Sequence, residues 1–196
     1  MRKEEDWNRQ IRSVYLKKFT PRLQRDLSII PTPKDLPDVI ESSFITGKVH
    51  TGKTVLAAFM ALQEMKNIWL NAEIKDGIYV SKECEFEFIP VMNLLDKIRD
   101  TFDRRGEGDV QLTRHALVER YSTIHLLILD DLGAYKVTDY VLETLQLIIN
   151  NRYEYLKKTI ITSNFSLKEL ARMSGDDRLC SRIGRMCRII HKTKIY

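Results

Sequence analysis

Apolar residues recur at helical spacing from the start of the chain. Trp7, Ile11, Val14, Tyr15 and Phe19 sit among charges, which predicts an amphipathic helix over residues 4–19. Prolines at 21, 31, 33 and 37 then predict an extended linker over 20–37, with one short helical turn available from Asp35 to Ile40. Beyond it, 42–46 reads as a short buried strand and 53–66 as a helix rich in Ala, Leu and Met. The stretch 67–83 admits two readings: a hairpin turning at Asp76-Gly77, or a helix running on to Lys75. Phe86 and Phe88 alternate with Glu85 and Glu87 in a strand over 84–90; a helix from Met92 to Phe102 and a polar loop over 103–109 follow. A helix over 111–121 precedes Leu126-Leu127-Ile128-Leu129, whose unbroken apolar run predicts a strand buried on both faces. A helix over 137–155, a buried strand over 159–163, a short helix over 167–173 and a last strand over 187–195 complete the pattern. Strands alternating with helices predict an α/β fold whose parallel sheet is covered on both faces, with ligands at the carboxyl ends of its strands.

The 196 residues suffice for one domain with a core. With 43% apolar and 30% charged residues, the chain is neither disordered nor fibrous. No apolar run approaches the roughly 18 residues of a membrane span, and MRKEEDWNRQ carries no apolar segment of a secretory signal. Cys84, Cys180 and Cys187 form no CxxC pair, which predicts free thiols and a cytoplasmic setting without membrane contact. Net charge is +5, unevenly spread: residues 1–25 and 168–196 each carry 8 basic and 3 acidic side chains, leaving an acidic middle. Two basic ends suit a phosphate backbone, and suit ordinary solubility equally.

Four segments bring candidate chemistry. Gly47-Lys48-Val49-His50-Thr51-Gly52-Lys53-Thr54 matches GxxxxGK[ST] in full, after a strand and before a helix. Such a loop curls so that backbone N–H groups face phosphate oxygens, the glycines permit the curl, and the helix N-terminus adds partial positive charge. Lys53 can then reach the β- and γ-phosphates of a bound nucleotide as a point charge, and the Thr54 hydroxyl can ligate Mg²⁺. Asp130-Asp131 end the second buried strand, where two adjacent carboxylates call for a cation; Asp130 suits the metal and Asp131 an attacking water. A solvated turn at Asp131-Leu132-Gly133 is the plainer alternative. Thr162-Ser163-Asn164 ends the third buried strand, which sets Asn164 near a γ-phosphate, although Asn164 or Ser166 also suits a helix N-cap. Arg178, Arg182 and Arg185 fall at i, i+4 and i+7 on one face of a helix: a finger toward a neighbouring subunit's phosphate, or a solvated or DNA-facing stripe.

Together these segments resemble an AAA+ ATPase of the DnaC-type helicase-loader branch, close to the IstB-type transposition helpers. The carriers are Phe44-Ile45-Thr46-Gly47 leading into the Walker A loop, 127–134 as Walker B, 159–164 as sensor 1 and 177–182 as the box VII segment; Asn150-Asn151-Arg152-Tyr153-Glu154 is similar to the helix before sensor 1. The resemblance spans 40–196 and implies a P-loop NTPase sheet flanked by helices without a C-terminal lid, since the chain ends 14 residues after Arg182. It divides the chain into an N-terminal helix with linker, 1–37, and an ATPase core, 38–196. It implies an ATP site with Gly47 to Thr54, Asp130, Asp131 and Asn164 on one subunit, and Arg182 with its companion Arg178 on the next, so that the protein self-associates. It also makes Lys97, Arg99, Arg104, Arg105, Thr138 and Tyr140 candidate contacts to single-stranded DNA.

The expected function is ATP-driven loading of a hexameric replicative helicase onto single-stranded DNA, with Trp7, Ile11, Val14 and Phe19 docking on the helicase or packing on the protein's own core. A transposition helper that binds target DNA is the alternative within the fold. A P-loop small-molecule kinase is an alternative of another functional class, and an adaptor that binds ATP without hydrolysing it is a third.

Overall fold

The computed structural model describes residues 2–75, 78–80, 85–103, 113–134 and 138–193. The chain opens with three consecutive helical pieces: α1 (Arg2–Asp6), a π-helical turn (Trp7–Ile11) and α2 (Arg12–Leu16). The segment expected as an extended linker then contains a helix, α3 (Pro21–Ile29). Pro21 stands at its first turn, where a missing N–H costs nothing. The Thr20 hydroxyl caps it by accepting from the Leu23 N–H at 3.4 Å, and Leu23 and Leu27 are buried.

After β1 (Ser43–Thr46), α4 (Lys53–Asn71) runs five residues beyond the expected end at 66. The hairpin reading of 67–83 holds: β2 (Glu73–Lys75) and β3 (Ile78–Val80) pair antiparallel, and the turn expected at Asp76-Gly77 lies outside the described residues. β4 (Phe86–Pro90) and α5 (Val91–Asp103) follow. Residues 104–112, most of the expected loop, lie outside the description. Thr113 caps α6 (Arg114–Thr123), so this helix starts three residues later than expected. β5 (Leu126–Leu132), α7 (Asp139–Glu154), β6 (Lys158–Ser163), α8 (Leu167–Ser174), α9 (Arg178–Met186) and β7 (Arg188–His191) complete the order, the last strand being shorter than expected.

One five-stranded sheet, in the order β4-β5-β6-β1-β7 and parallel throughout, forms the middle layer. Successive residues of a strand face opposite sides, and the buried runs divide accordingly. Phe44, Leu127, Leu129 and Ile161 meet residues of α5 to α9. Ile45, Leu126, Ile128 and Ile160 meet α4 and the N-terminal helices. The N-terminal helix thus packs on its own core. Trp7 and Phe19 are only 3% and 4% exposed, and the Phe19 ring lies 5.4 Å from that of Phe86 and 5.3 Å from that of Phe88. Ile11 packs against the same cluster. The expectation that these residues dock on a partner is corrected for Trp7, Phe19 and Ile11, because β4 and α4 already cover them; Val14 alone of the four is exposed.

Arg152 near the C-terminal end of α7 is wholly buried. It donates to Tyr121 O at 2.7 Å, Ile124 O at 3.0 Å, Lys158 O at 2.5 Å and Thr159 Oγ1 at 2.8 Å. Burial pushes its pKa down to about 9, still above neutrality, so a cation fastens α7 to the amino end of the sheet. Cys180 and Cys187 are buried free thiols, and no helix among the described residues is long and apolar enough to cross a membrane.

Candidate nucleotide site and arginine face

The loop between β1 and α4 is braced from behind by the exit of β7. A Cβ on Gly47 would stand 2.1 Å from Lys192 O, so no side chain fits there. The Lys192 N–H meanwhile donates to Thr46 O at 2.7 Å. At the far end of the loop Gly52 adopts φ +83° as the residue before α4, a left-handed conformation that glycine takes without strain.

Lys53 opens the helix, and its ammonium turns back into the loop, donating to Gly47 O at 2.9 Å, Lys48 O at 2.8 Å and Asn164 Oδ1 at 2.8 Å. Burial pushes its pKa down, while Asp131 and Asp130 act to hold it up. All three acceptors are neutral, so a phosphate oxygen would offer this buried cation a stronger partner.

Across the sheet, β5 slips register against β6 between Leu129 and Leu132. The bulge sets Asp131 at φ +62°, a conformation uncommon for residues other than glycine. Asp130 accepts from the Thr54 hydroxyl at 3.0 Å and the Thr162 hydroxyl at 2.7 Å. Thr162 also accepts the Asp131 N–H at 2.9 Å, which ties the bulge to β6. Asn164 completes the network: its Nδ2 donates to Asp131 Oδ1 at 2.8 Å while its Oδ1 receives Lys53. Burial pushes the Asp130 pKa up, against the two hydroxyl hydrogen bonds that lower it. A half-buried carboxylate beside a hydroxyl and a phosphate loop is a hard-oxygen donor pair of the kind Mg²⁺ takes. The residues expected to hold the ion therefore fit it. Gly47, Gly52, Lys53, Thr54, Asp130, Asp131 and Asn164 are brought into one contiguous site; Lys48 and Thr51 shape its loop, the Thr51 hydroxyl donating to Lys48 O at 2.8 Å. Val49 and His50 form its exposed tip.

The arginines lie elsewhere. α9 packs on α7, across the sheet from α4. Arg178 makes a close ion pair with Asp176, from Nε at 2.9 Å and Nη2 at 2.6 Å, and Gln146 Nε2 donates to the same carboxylate at 3.0 Å. Hydrogen bonds from Arg178 hold the Asp176 carboxyl well below the usual range. Arg182 donates from Nε to Asn150 Oδ1 at 3.0 Å and stacks over the Tyr153 ring, 4.4 Å from its centroid. Among the described residues, neither arginine contacts the phosphate loop or the Asp-Asp pair of its own chain. Sequence reading missed Gln146, Asn150 and Tyr153 as partners of this face. Their spacing on α7, at i, i+4 and i+7, repeats that of Arg178, Arg182 and Arg185 on α9, and only the packing of the two helices reveals the match.

The candidate DNA contacts are scattered. Lys97 lies 3.7 Å from Glu87, and Arg99 pairs with Asp96 at 2.7 Å; Arg104 and Arg105 lie outside the described residues. Thr138 caps α7 by accepting from the Val141 N–H at 3.3 Å. Tyr140 packs on the core under the Arg114 guanidinium, 5.5 Å from its ring centroid. Thr138 thus serves as a helix cap, and Tyr140 is partly buried against the core.

A glycine-braced loop with Lys-Thr at the head of a helix, and Asp-Asp and Thr-Ser-Asn at the ends of adjacent parallel strands, define a P-loop nucleotide-binding protein of the AAA+ type. The model of the IstB-like ATP binding protein family matches residues 38–196, and the chain belongs to that family. A comparison with curated proteins finds no match. Among solved structures, the chain is similar to the DnaC helicase loader at 21% identity, with 90% of this chain and 95% of that chain covered and a TM-score of 0.58. It is also similar to AMPPCP-bound DnaA from Aquifex aeolicus at 17% identity, covering 90% of this chain and 49% of that chain with a TM-score of 0.60. A third similar structure, DnaI, shares 20% identity over 87% of this chain and 80% of that chain, with a TM-score of 0.54. The chain thus spans about half of the DnaA chain, and these likenesses describe the fold.

Proposed function

We propose that this protein hydrolyses ATP between subunits of an oligomer and uses the cycle to load a hexameric replicative helicase onto single-stranded DNA. The observation that carries the reading is the division of the site. Lys53, Thr54, Asp130, Asp131 and Asn164 form one connected network, whereas Arg182 stands on the other face of the sheet, held by α7. A second copy would bring its Arg182 to the first copy's γ-phosphate.

In the reaction, Lys53 exchanges the loop carbonyls for phosphate oxygens. Asp131 and Asn164, already bonded to each other, orient the attacking water, and Asp131 is the base that receives its proton. Mg²⁺, when bound, neutralises charge on the phosphates; Thr54 and Asp130 are the residues to hold it. Arg182 of the neighbour stabilises the charge that develops in the transition state. Turnover is therefore slow in dilute protein and rises with assembly.

Likeness to the DnaC helicase loader over nearly all of that chain supports the loading role. The IstB-like family match supports a second reading, a transposition helper acting on duplex target DNA. Family membership weighs against a small-molecule kinase. The test offers the purified protein, with ATP, a hexameric replicative helicase on single-stranded circles and a transposase on duplex DNA. Loading is expected to require ATP and to stop in Asp131→Asn. Selective binding of duplex DNA and transposase would replace the loader reading with the second one.

A further inference from the structure

The two arginines expected at the subunit boundary are held in opposite ways. Arg178 is paired with a carboxylate, so its charge is largely neutralised within its own chain. Arg182 is held by an uncharged amide and an aromatic face, and among the described residues its two Nη atoms bond nothing. An amide oxygen on Nε and a ring under the guanidinium plane fix the position and tilt of the group while leaving its charge and outward donors available. Both partners come from one stripe of α7. The next residue inward on that helix, Arg152, is locked to the sheet by its four hydrogen bonds. The stripe is therefore a rigid mount. Gln146, Asn150, Ser181, Arg178, Arg182 and Arg185 line a depression of 310 Å³ beside it, open to solvent.

We infer that Tyr153 and Asn150 are positioning residues for Arg182, holding it extended and charged for the ATP bound by the adjacent subunit. The inference rests on the inter-subunit reading proposed above. A free arginine side chain samples many rotamers and loses that freedom on reaching a phosphate; a mounted one has lost it beforehand. The effect therefore falls on kcat and not on ATP affinity, since the nucleotide belongs to the other chain.

Subunit mixing tests this. A Lys53→Ala chain still donates Arg182, and an Arg182→Ala chain still binds ATP. Neither turns over ATP alone, and an equimolar mixture is expected to restore about a quarter of wild-type turnover if subunits pair at random. Tyr153→Leu on the donating chain is expected to lower the restored kcat about threefold to fivefold with KM unchanged. Asn150→Asp, which neutralises Arg182, is expected to lower it at least as much, and Tyr153→Phe, which keeps the ring, to restore it. The same substitutions on the Arg182→Ala chain are expected to change nothing. If the unsubstituted mixture restores no activity, the inter-subunit reading fails and this inference falls with it. If the mixture is active but the donor substitutions leave it unchanged, or act equally on either chain, the positioning role is overturned while the inter-subunit reading stands.

Discussion

Replacing Arg152 by Met tests whether a buried cation without a carboxylate partner stabilises this fold. Met has comparable length and no donors, so Tyr121 O, Ile124 O, Lys158 O and the Thr159 hydroxyl all lose a hydrogen bond. Each buried acceptor left unmet costs about 1–3 kcal/mol, so the three carbonyls alone suggest a loss of roughly 3–9 kcal/mol. Against this, removing the guanidinium recovers a desolvation penalty of several kcal/mol. The net expectation is a loss of about 2–5 kcal/mol, a large share of the stability of a domain this size. Urea unfolding read by circular dichroism measures it: with a slope of about 2–3 kcal/mol/M, the midpoint falls by about 1–2 M. Arg152→Lys keeps one donor group and is expected to fall between the two. Turnover in assembled protein is expected to fall as well, because the same turn of α7 carries Asn150 and Tyr153. A Met variant within about 0.5 kcal/mol of wild type, inside the scatter of a neutral surface change, would refute the reasoning: desolvation would then cancel the hydrogen bonds.

Other substitutions address the remaining ionised groups. Asp130 is pushed above its ordinary 3.8 by burial, so its charged form costs stability at pH values above the folded-state value. Asp130→Asn is therefore expected to raise the thermal midpoint of nucleotide-free protein by a few degrees at pH 7 while abolishing Mg-dependent ATP binding. The gain shrinks as pH falls toward 3.8; a lowered midpoint at pH 7 would contradict it. Glu64 is also buried, but hydrogen bonds from His125 Nε2 at 2.9 Å and Lys158 Nζ at 2.7 Å outweigh burial and leave its pKa below 4.5. Its stabilisation is present above 4.5 and lost as pH falls through the folded-state value. Glu64→Gln should thus cost roughly 1–2 kcal/mol at neutral pH, with a difference in urea midpoint that closes on acidification; a gap independent of pH would indicate a packing effect instead. Asp176→Asn removes the carboxylate that pairs with Arg178. If Arg178 assists a neighbour's site, the protein concentration for half-maximal ATP turnover should fall several-fold; a rise would mean that the paired arrangement is the productive one.

What could be read beforehand depended on whether a residue's role was local. β5 is legible because its unbroken apolar run has few alternatives in a covered parallel sheet, and β1 and β6 because each centres on an apolar pair, Phe44-Ile45 and Ile160-Ile161, flanked by β-compatible Ser and Thr. The phosphate loop is legible because glycines, lysine and threonine at fixed spacing describe a backbone curl. α3 was hidden because proline punctuates extended chain and opens helices alike, and only the cap at Thr20 with burial of Leu23 and Leu27 separates the two. An amphipathic stripe shows that Trp7 and Phe19 need cover without saying whose, and their own β4 and α4 supply it. The burial of Arg152 is not legible, since its sequence does not announce that the C-terminal end of α6 and the start of β6 will turn three carbonyls toward it. The site obeys the same distinction. Lys53, Thr54 and the paired aspartates are recognisable from contiguous residues, but their link through Asn164 and Thr162 depends on β5 and β6 lying side by side with a bulge between Leu129 and Leu132. The arginine face goes one level further. Its charge is written in α9 and its orientation in α7, and on the reading proposed above its target lies in a second copy of the chain. The basic C-terminal stretch therefore carries two kinds of charge that composition counts alike: Arg178, paired with a carboxylate of its own chain, and Arg182, held only by an amide and an aromatic ring.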